Sequence, residues 1–397
     1  MRCLNLGVTG VLLFATGAVA QSGRPNQGTK IEPGQSCPPG MTEVRPRNCQ
    51  APTLPVPSIV DYRPRSTLVA PVHMVPKAKY PAIDFHGHPS IGSADAIEQM
   101  GQALDSLNVR MMVVAGNVSG ESLKRGVALV QGSATMKDRV RFLTGIDFRN
   151  AGPGWADKAV AQLEADAAAG AVGIGEIGKG FGLSTTKPDG SRLKLDDRTL
   201  DPIWQAAARL KLPVFVHTAD PPEFWQPIDN QNERWLELAL FPGRRYPAEE
   251  NPAFEQLMAE RDSLVVHNPK TTFVIAHMGW HANDLGRLGR MMDAMPNLYT
   301  EVGAVLYDIG RQPRAAHDFF VRYQDRILFG KDSFQPEEYP YYWRVFETND
   351  DYFDYYRHYH AFWKLYGIGL PDEVLKKVYF ANALRITPGL PQGGWPR

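Results

Sequence analysis

Ile83-Asp84-Phe85-His86-Gly87-His88 is a short apolar run interrupted by ionisable groups and bracketed by Pro81 and Pro89. It reads as an extended segment. Side chains on a strand alternate faces, which puts His86 and His88 on one side with Asp84 beside them. Two imidazoles and a carboxylate on one face make half of a metal site, with histidine a natural ligand for zinc and similar ions. The same residues also suit a half-buried strand with ordinary polar side chains. The rest of the chain has to supply the missing ligands.

Outward from this run, short apolar stretches alternate with amphipathic ones, the pattern of repeated βα units. Ser93 to Leu107 carries Ile97, Met100, Leu104 and Leu107 on one helical stripe. Strands are predicted at Val109 to Ala115, Val140 to Phe148, Ala171 to Gly178, Pro213 to His217, Phe273 to His277, Leu298 to Val302 and Ile327 to Gly330. Helical patterns lie between them at Ser122 to Gln131, Trp155 to Ala169, Leu200 to Leu210, Phe254 to Met258, Leu285 to Met292 and His317 to Tyr323, with a final helix at Pro371 to Ala383. Eight strands, most followed by a helix, predict an α/β fold, a closed (β/α)8 TIM barrel with an extended N-terminal arm. A doubly wound open sheet is the competing architecture.

A barrel gathers its active-site residues at the C-terminal edge of the strands. His86 and His88 end the first strand and Glu176 lies late in the fourth. His217, His277 and Asp332 end the fifth, sixth and eighth. Singly, each has a plainer reading: a satisfied polar histidine, a partner for Lys179 in the case of Glu176, a turn or helix cap at Asp332. Together they favour a metal site, since four of the ten histidines fall at predicted strand ends.

The ordered set of an HxH pair, a glutamate, two separate histidines and an aspartate over eight βα units resembles the amidohydrolase superfamily. Asp84-Phe85-His86-Gly87-His88, His277-Met278-Gly279 and Leu328-Phe329-Gly330-Lys331-Asp332 resemble the amidohydrolase-related branch most closely. That branch holds both hydrolases and non-oxidative decarboxylases, and the resemblance covers roughly residues 81–386. Gly175-Glu176-Ile177-Gly178 is instead similar to the metal-binding glutamate of TatD-like hydrolases, which leaves one ion or two open. The resemblance implies a divalent ion, zinc first among candidates, on His86, His88 and His217 with Asp332 beside it. Asp332 would move the proton of the attacking water. His277 would either bind a second ion or polarise a carbonyl, and Glu176 would bridge two ions.

Long loops after the fifth and eighth strands are rich in aromatic and cationic residues. From them Arg244, Arg245 and Trp225 are candidate substrate contacts, as is Lys179 after the fourth strand. The aromatic stretch from Tyr339 to Trp363 reads mostly as packing material. A small, apolar or aromatic acid, ester, lactone or amide is the expected substrate.

Composition bounds the rest. The 397 residues are 43% hydrophobic, and 43 basic residues balance 43 acidic ones. A large core follows, with no overall charge to attract nucleic acid or an anionic membrane. Arg2, the apolar Leu4 to Ala15 and Ala18-Val19-Ala20 fit a secretory signal over residues 1–20, which predicts a secreted or periplasmic protein without stable membrane insertion after cleavage. Residues 21–80, dense in Pro and Gly, read as an extended arm in which Cys37 and Cys49 can pair. Residues 81–386 form the barrel, residues 387–397 a tail, and assembly as a homo-oligomer is left open. Three functions are compatible with this reading: a metal-dependent hydrolase, a decarboxylase of an aromatic or unsaturated acid, and a secreted binding protein without catalysis.

Overall fold

The computed structural model describes residues 28–149, 151–360 and 363–396; the expected signal segment and Phe362 lie outside them. The chain divides into two units, Met1–Pro64 and Arg65–Arg397.

The second unit is built on strands β1 (Ala82–His88), β2 (Val109–Val118), β3 (Val140–Thr144), β4 (Ala171–Ile177), β5 (Val214–Val216), β6 (Phe273–Ile275), β7 (Leu298–Glu301), β8 (Ile327–Leu328) and β9 (Asp332–Ser333). Each pairs in parallel with its sequence neighbour from β1 to β8, and β9 returns to pair with β1. Asp332 lies opposite Gly87 and Ser333 opposite His88. The Phe85 N–H donates to the Phe329 carbonyl at 3.0 Å. Strands β8 and β9 are therefore one interrupted stave whose two ends close the ring, and the architecture is a TIM barrel rather than an open sheet. Space is short at the interruption. A Cβ on Gly330 would lie 2.6 Å from Glu301 Oε2 and 2.7 Å from His86 Cβ.

The staves are apolar on both faces because helices cover them outside and side chains fill them inside. Helix α1 (Ala94–Leu107) buries Ile97, Met100, Leu104 and Leu107, and the Ser93 hydroxyl caps it by accepting from Ala96 N at 3.2 Å. Helices α2 (Gly120–Gln131), α3 (Trp155–Ala168), α4 (Asp201–Leu210), α5 (Phe254–His267), α6 (Leu285–Ala294), α7 (Pro313–Arg322) and α8 (Tyr339–Glu347) follow in turn. Helix α5 runs well beyond Met258, where its pattern fades in the sequence, because its buried face includes Glu260 and Arg261. In α8, Tyr339, Tyr342, Trp343 and Phe346 are fully buried, so this part of the aromatic stretch is core. No helix among the described residues is long and apolar enough to cross a membrane.

In the first unit the stretch read as an extended arm contains a small antiparallel sheet. Asn48–Gln50 pairs with Thr29–Lys30 on one side and Thr42–Arg45 on the other. A Cys37–Cys49 disulfide staples it, with the two Cα atoms 5.6 Å apart. Strands of two to four residues are too short to leave a period in the sequence. Residues 65–80, also read as arm, belong to the barrel unit. His73 N donates to Asp350 Oδ2 at 2.8 Å, and Asn108 Nδ2 donates to the Ala78 carbonyl at the same distance.

Candidate metal centre

Six ionisable side chains from five strand ends converge at the C-terminal edge of the barrel. His86 Nε2 lies 3.1 Å from His88 Nε2 and 3.3 Å from Glu176 Oε2, and His88 Nε2 is 3.1 Å from that oxygen. Asp332 Oδ1 stands 3.7 Å from His88 Nε2 and 3.9 Å from His86 Nε2. The other oxygen of Glu176 is 2.6 Å from His217 Nδ1. His277 packs its ring on His217, with centroids 4.4 Å apart, and on His86 at 5.1 Å. Two overlapping groups have donor atoms within 4.8 Å of one another: His86, Glu176 and His277, and His86, His88 and Asp332.

The surroundings fix which ring nitrogens are free. His86 Nδ1 faces Glu301 Oε1 at 3.1 Å, and His277 Nδ1 faces the Gly303 carbonyl at 2.8 Å. Both partners only accept, so both Nδ1 atoms carry a hydrogen, and in the neutral ring it is Nε2 that presents the lone pair. His217 Nε2 is buried and has no hydrogen-bond partner. Bare nitrogens beside a carboxylate oxygen repel one another unless a proton or a cation sits between them. The charge balance says the same. Burial would raise the pKa values of Glu176, Glu301 and Asp332, but the imidazoles around them hold all three below the ordinary carboxylate value. Burial would likewise lower His86, yet Glu176 and Glu301 push it well above its usual value. The cluster thus demands positive charge, and a nitrogen-and-oxygen donor set of this kind fits a divalent ion of the zinc or manganese class.

Glu301 has no place in the sequence reading. Fully buried at the end of β7, it faces His86 Nδ1, accepts from His277 N at 2.6 Å and also accepts from Gly303 N. Its signal in the sequence is a lone acid closing an apolar strand. Asp84 corrects an expectation in the other direction. Its carboxylate is saturated by the His86 and Lys331 N–H groups, each at 3.0 Å, and by the Tyr339 hydroxyl at 2.5 Å. The β1–β2 register shifts between Asp84 and Gly87, so strict alternation fails there, and Asp84 braces the seam of the barrel.

An Amidohydro_2 family profile, described as amidohydrolase, matches residues 83–387. The chain belongs to this amidohydrolase family. Its members are metal-dependent enzymes that act on small molecules. Among solved structures, the chain is similar to an uncharacterised TIM-barrel protein from Bordetella bronchiseptica, with 16% identity over 78% of this chain and 99% of that one and a TM-score of 0.49. It is similar to 2,6-dihydroxybenzoate decarboxylase from Rhizobium, with 14% identity over 77% and 98% and a TM-score of 0.49. A dihydroxybenzoic acid decarboxylase from a Polaromonas species, solved with bound manganese, shows 14% identity over 77% and 96% and a TM-score of 0.47. No curated protein matches the chain.

A cavity of about 270 Å³ opens beside the amidohydrolase centre, and His217, His277 and Asp332 face it. This is at the small end for ligand pockets. Lys179 and Arg244 also line it. Lys179 donates to Asp220 at 2.5 Å, and Arg244 to Glu237 at 2.6 Å. The other two expected substrate contacts point elsewhere. Trp225 stacks on Tyr246 with centroids 4.5 Å apart and donates from Nε1 to the Pro252 carbonyl at 2.9 Å. Arg245 donates from Nε to the Gln226 carbonyl at 3.3 Å.

Proposed function

We propose that the chain is a metal-dependent hydrolase that cleaves an ester, lactone or amide bond of a small molecule. His86, His88, Glu176, His217 and His277 would hold one or two divalent ions, zinc first, with Asp332 beside them. The observation that carries this reading is the span of the Glu176 carboxylate. One oxygen is 2.6 Å from His217 Nδ1, and the other lies within 3.3 Å of Nε2 of both His86 and His88. The first contact is a hydrogen bond from His217 Nδ1 that fixes the carboxylate and leaves His217 Nε2 unpartnered, while the second oxygen would join the two Nε2 atoms as donors to an ion, an arrangement fitted to water activation.

When bound, such an ion supplies Lewis acidity, which lowers the pKa of a water from 15.7 to about 7 and polarises a carbonyl. Asp332 is held as the carboxylate by the nearby imidazoles, which outweigh its burial. It can therefore accept a proton from the attacking water and return it to the leaving group. His277 stays neutral, because burial and His217 lower its pKa. With its one hydrogen committed to Gly303, it offers Nε2 as a lone pair and has no hydrogen there for a carbonyl. This favours a ligand over an electrophile.

Screening esters, lactones and amides against metal-loaded protein tests the reading. Asp332→Asn should lower turnover by about 10²- to 10⁴-fold. Unchanged turnover in this variant removes the proton role. Carbon dioxide release from aromatic acids, without hydrolysis of any ester or amide, replaces the hydrolase with a decarboxylase. The disulfide in the first unit supports export to an oxidising compartment.

A further inference from the structure

Four cationic side chains line the cavity beside the centre: Lys179, Arg234, Arg244 and Arg357. Three have carboxylate partners. Lys179 is held by Asp220. Arg234 is held by Glu223 at 3.2 Å and Glu237 at 2.8 Å. Arg244 shares Glu237 at 2.6 Å. The Arg357 guanidinium has no carboxylate partner and donates no hydrogen bond among the described residues. It lies beside the Tyr356 ring, with its guanidinium carbon 5.6 Å from the ring centroid. The hydroxyls of Tyr355 and Tyr356 are themselves buried without partners.

Aromatic faces compensate a guanidinium only in part. They take up the charge above and below its plane and leave the in-plane N–H fork unused. A partly buried fork with nothing to donate to is costly, and a carboxylate is the group whose two oxygens match it. Arg357 shares its cavity with Asp332 and His277. We infer that Arg357 binds a carboxylate of the substrate other than the group that meets the metal centre, so that the substrate class is small acids carrying a second polar or ionised function at the reacting end. This rests on the reading of the metal centre given above.

The probes are phthalate, isophthalate and terephthalate, each paired with its monoamide, titrated calorimetrically into metal-loaded protein. Every pair keeps one carboxylate for the centre and differs only in the second. Wild type should prefer at least one diacid over its monoamide by about tenfold to hundredfold. Arg357→Met should abolish that preference with metal content unchanged. Arg357→Lys, which keeps the charge but not the fork, should retain only part of it, and carries the test if the methionine variant does not fold. Absence of preference in wild type for all three pairs overturns the inference, as does full preference in either variant. Metal content is read separately. A wild type that binds no ion sinks the hydrolase reading, and the same titrations on chelator-treated protein then decide the role of Arg357.

Discussion

Glu301 fixes two of the histidines from behind. One oxygen faces His86 Nδ1 and accepts from the backbone of His277, and the other accepts from Gly303 N. A carboxylate that holds a ligating imidazole in one tautomer raises its basicity, and its loss typically costs 10- to 100-fold in metal affinity. Glu301→Gln should therefore weaken metal binding by about that factor while the barrel stays folded. Competition with a chromophoric chelator measures it, and unchanged affinity would leave Glu301 a packing residue. The strand-end histidines, Glu176 and Asp332 were legible because each ends an apolar run with a polar group. Glu301 ends one too, but without a histidine beside it the sequence offers no reason to single it out. Arg357 was hidden by its setting among tyrosines, where only the three-dimensional pairing of the other cations leaves it unmatched.

After β6 the backbone of His277, Met278, Gly279 and Trp280 takes φ values of 58°, 51°, 62° and 56°, one full left-handed turn. Left-handed geometry costs about 1–2 kcal/mol for each non-glycine residue, so the turn needs external support. Gly279 is closely flanked there, since a Cβ would meet Ile275 Cδ1 at 2.5 Å and Arg261 Nη1 at 2.9 Å, so a side chain would force both to shift. Arg261 of α5 donates to the Gly279 carbonyl at 2.9 Å, and Trp280 Nε1 reaches the Ala219 carbonyl at 3.0 Å. Arg261→Met should cost about 2–4 kcal/mol, because it leaves a buried carbonyl unpaired and removes charged hydrogen bonds. Urea denaturation reads this, and metal affinity should fall with it as His277 loses its fixed position. The turn illustrates what pattern-reading cannot reach. A strand period predicts that a histidine ends β6 but not that four successive residues then reverse hand.

Across the whole molecule the closed barrel was legible from its count of βα units, but the split of its last stave was not, since two strands of two residues carry no period. Stability should depend on acid through imidazoles kept neutral by the fold. Burial, with Arg261 and Arg287 nearby, pushes His281 down to about 2, and burial pushes His360 down to about 4. Arg261 Nη2 can only donate, so His281 Nε2, 3.3 Å away, must be unprotonated. With folded values below the unfolded value near 6.5, the unfolded chain binds the extra protons as pH falls. The contribution is complete above about pH 6.5 and declines below it. Between pH 7 and 5, wild type should lose about 2 kcal/mol more than His281→Gln, which keeps an acceptor for Arg261 but takes no proton. Equal losses in urea titrations at the two pH values would remove His281 from the account.

The seam between the first and last staves sets a timetable. Asp84 and Lys331, joined across it, are 247 positions apart. His86 and His88 leave the ribosome long before Asp332 does. Until that late residue arrives the ring is open, although Glu176, His217 and His277 are already in the chain. A chain stopped short of Asp332 would hold five of the six converging side chains but lack the barrel's closure and the complete centre alike.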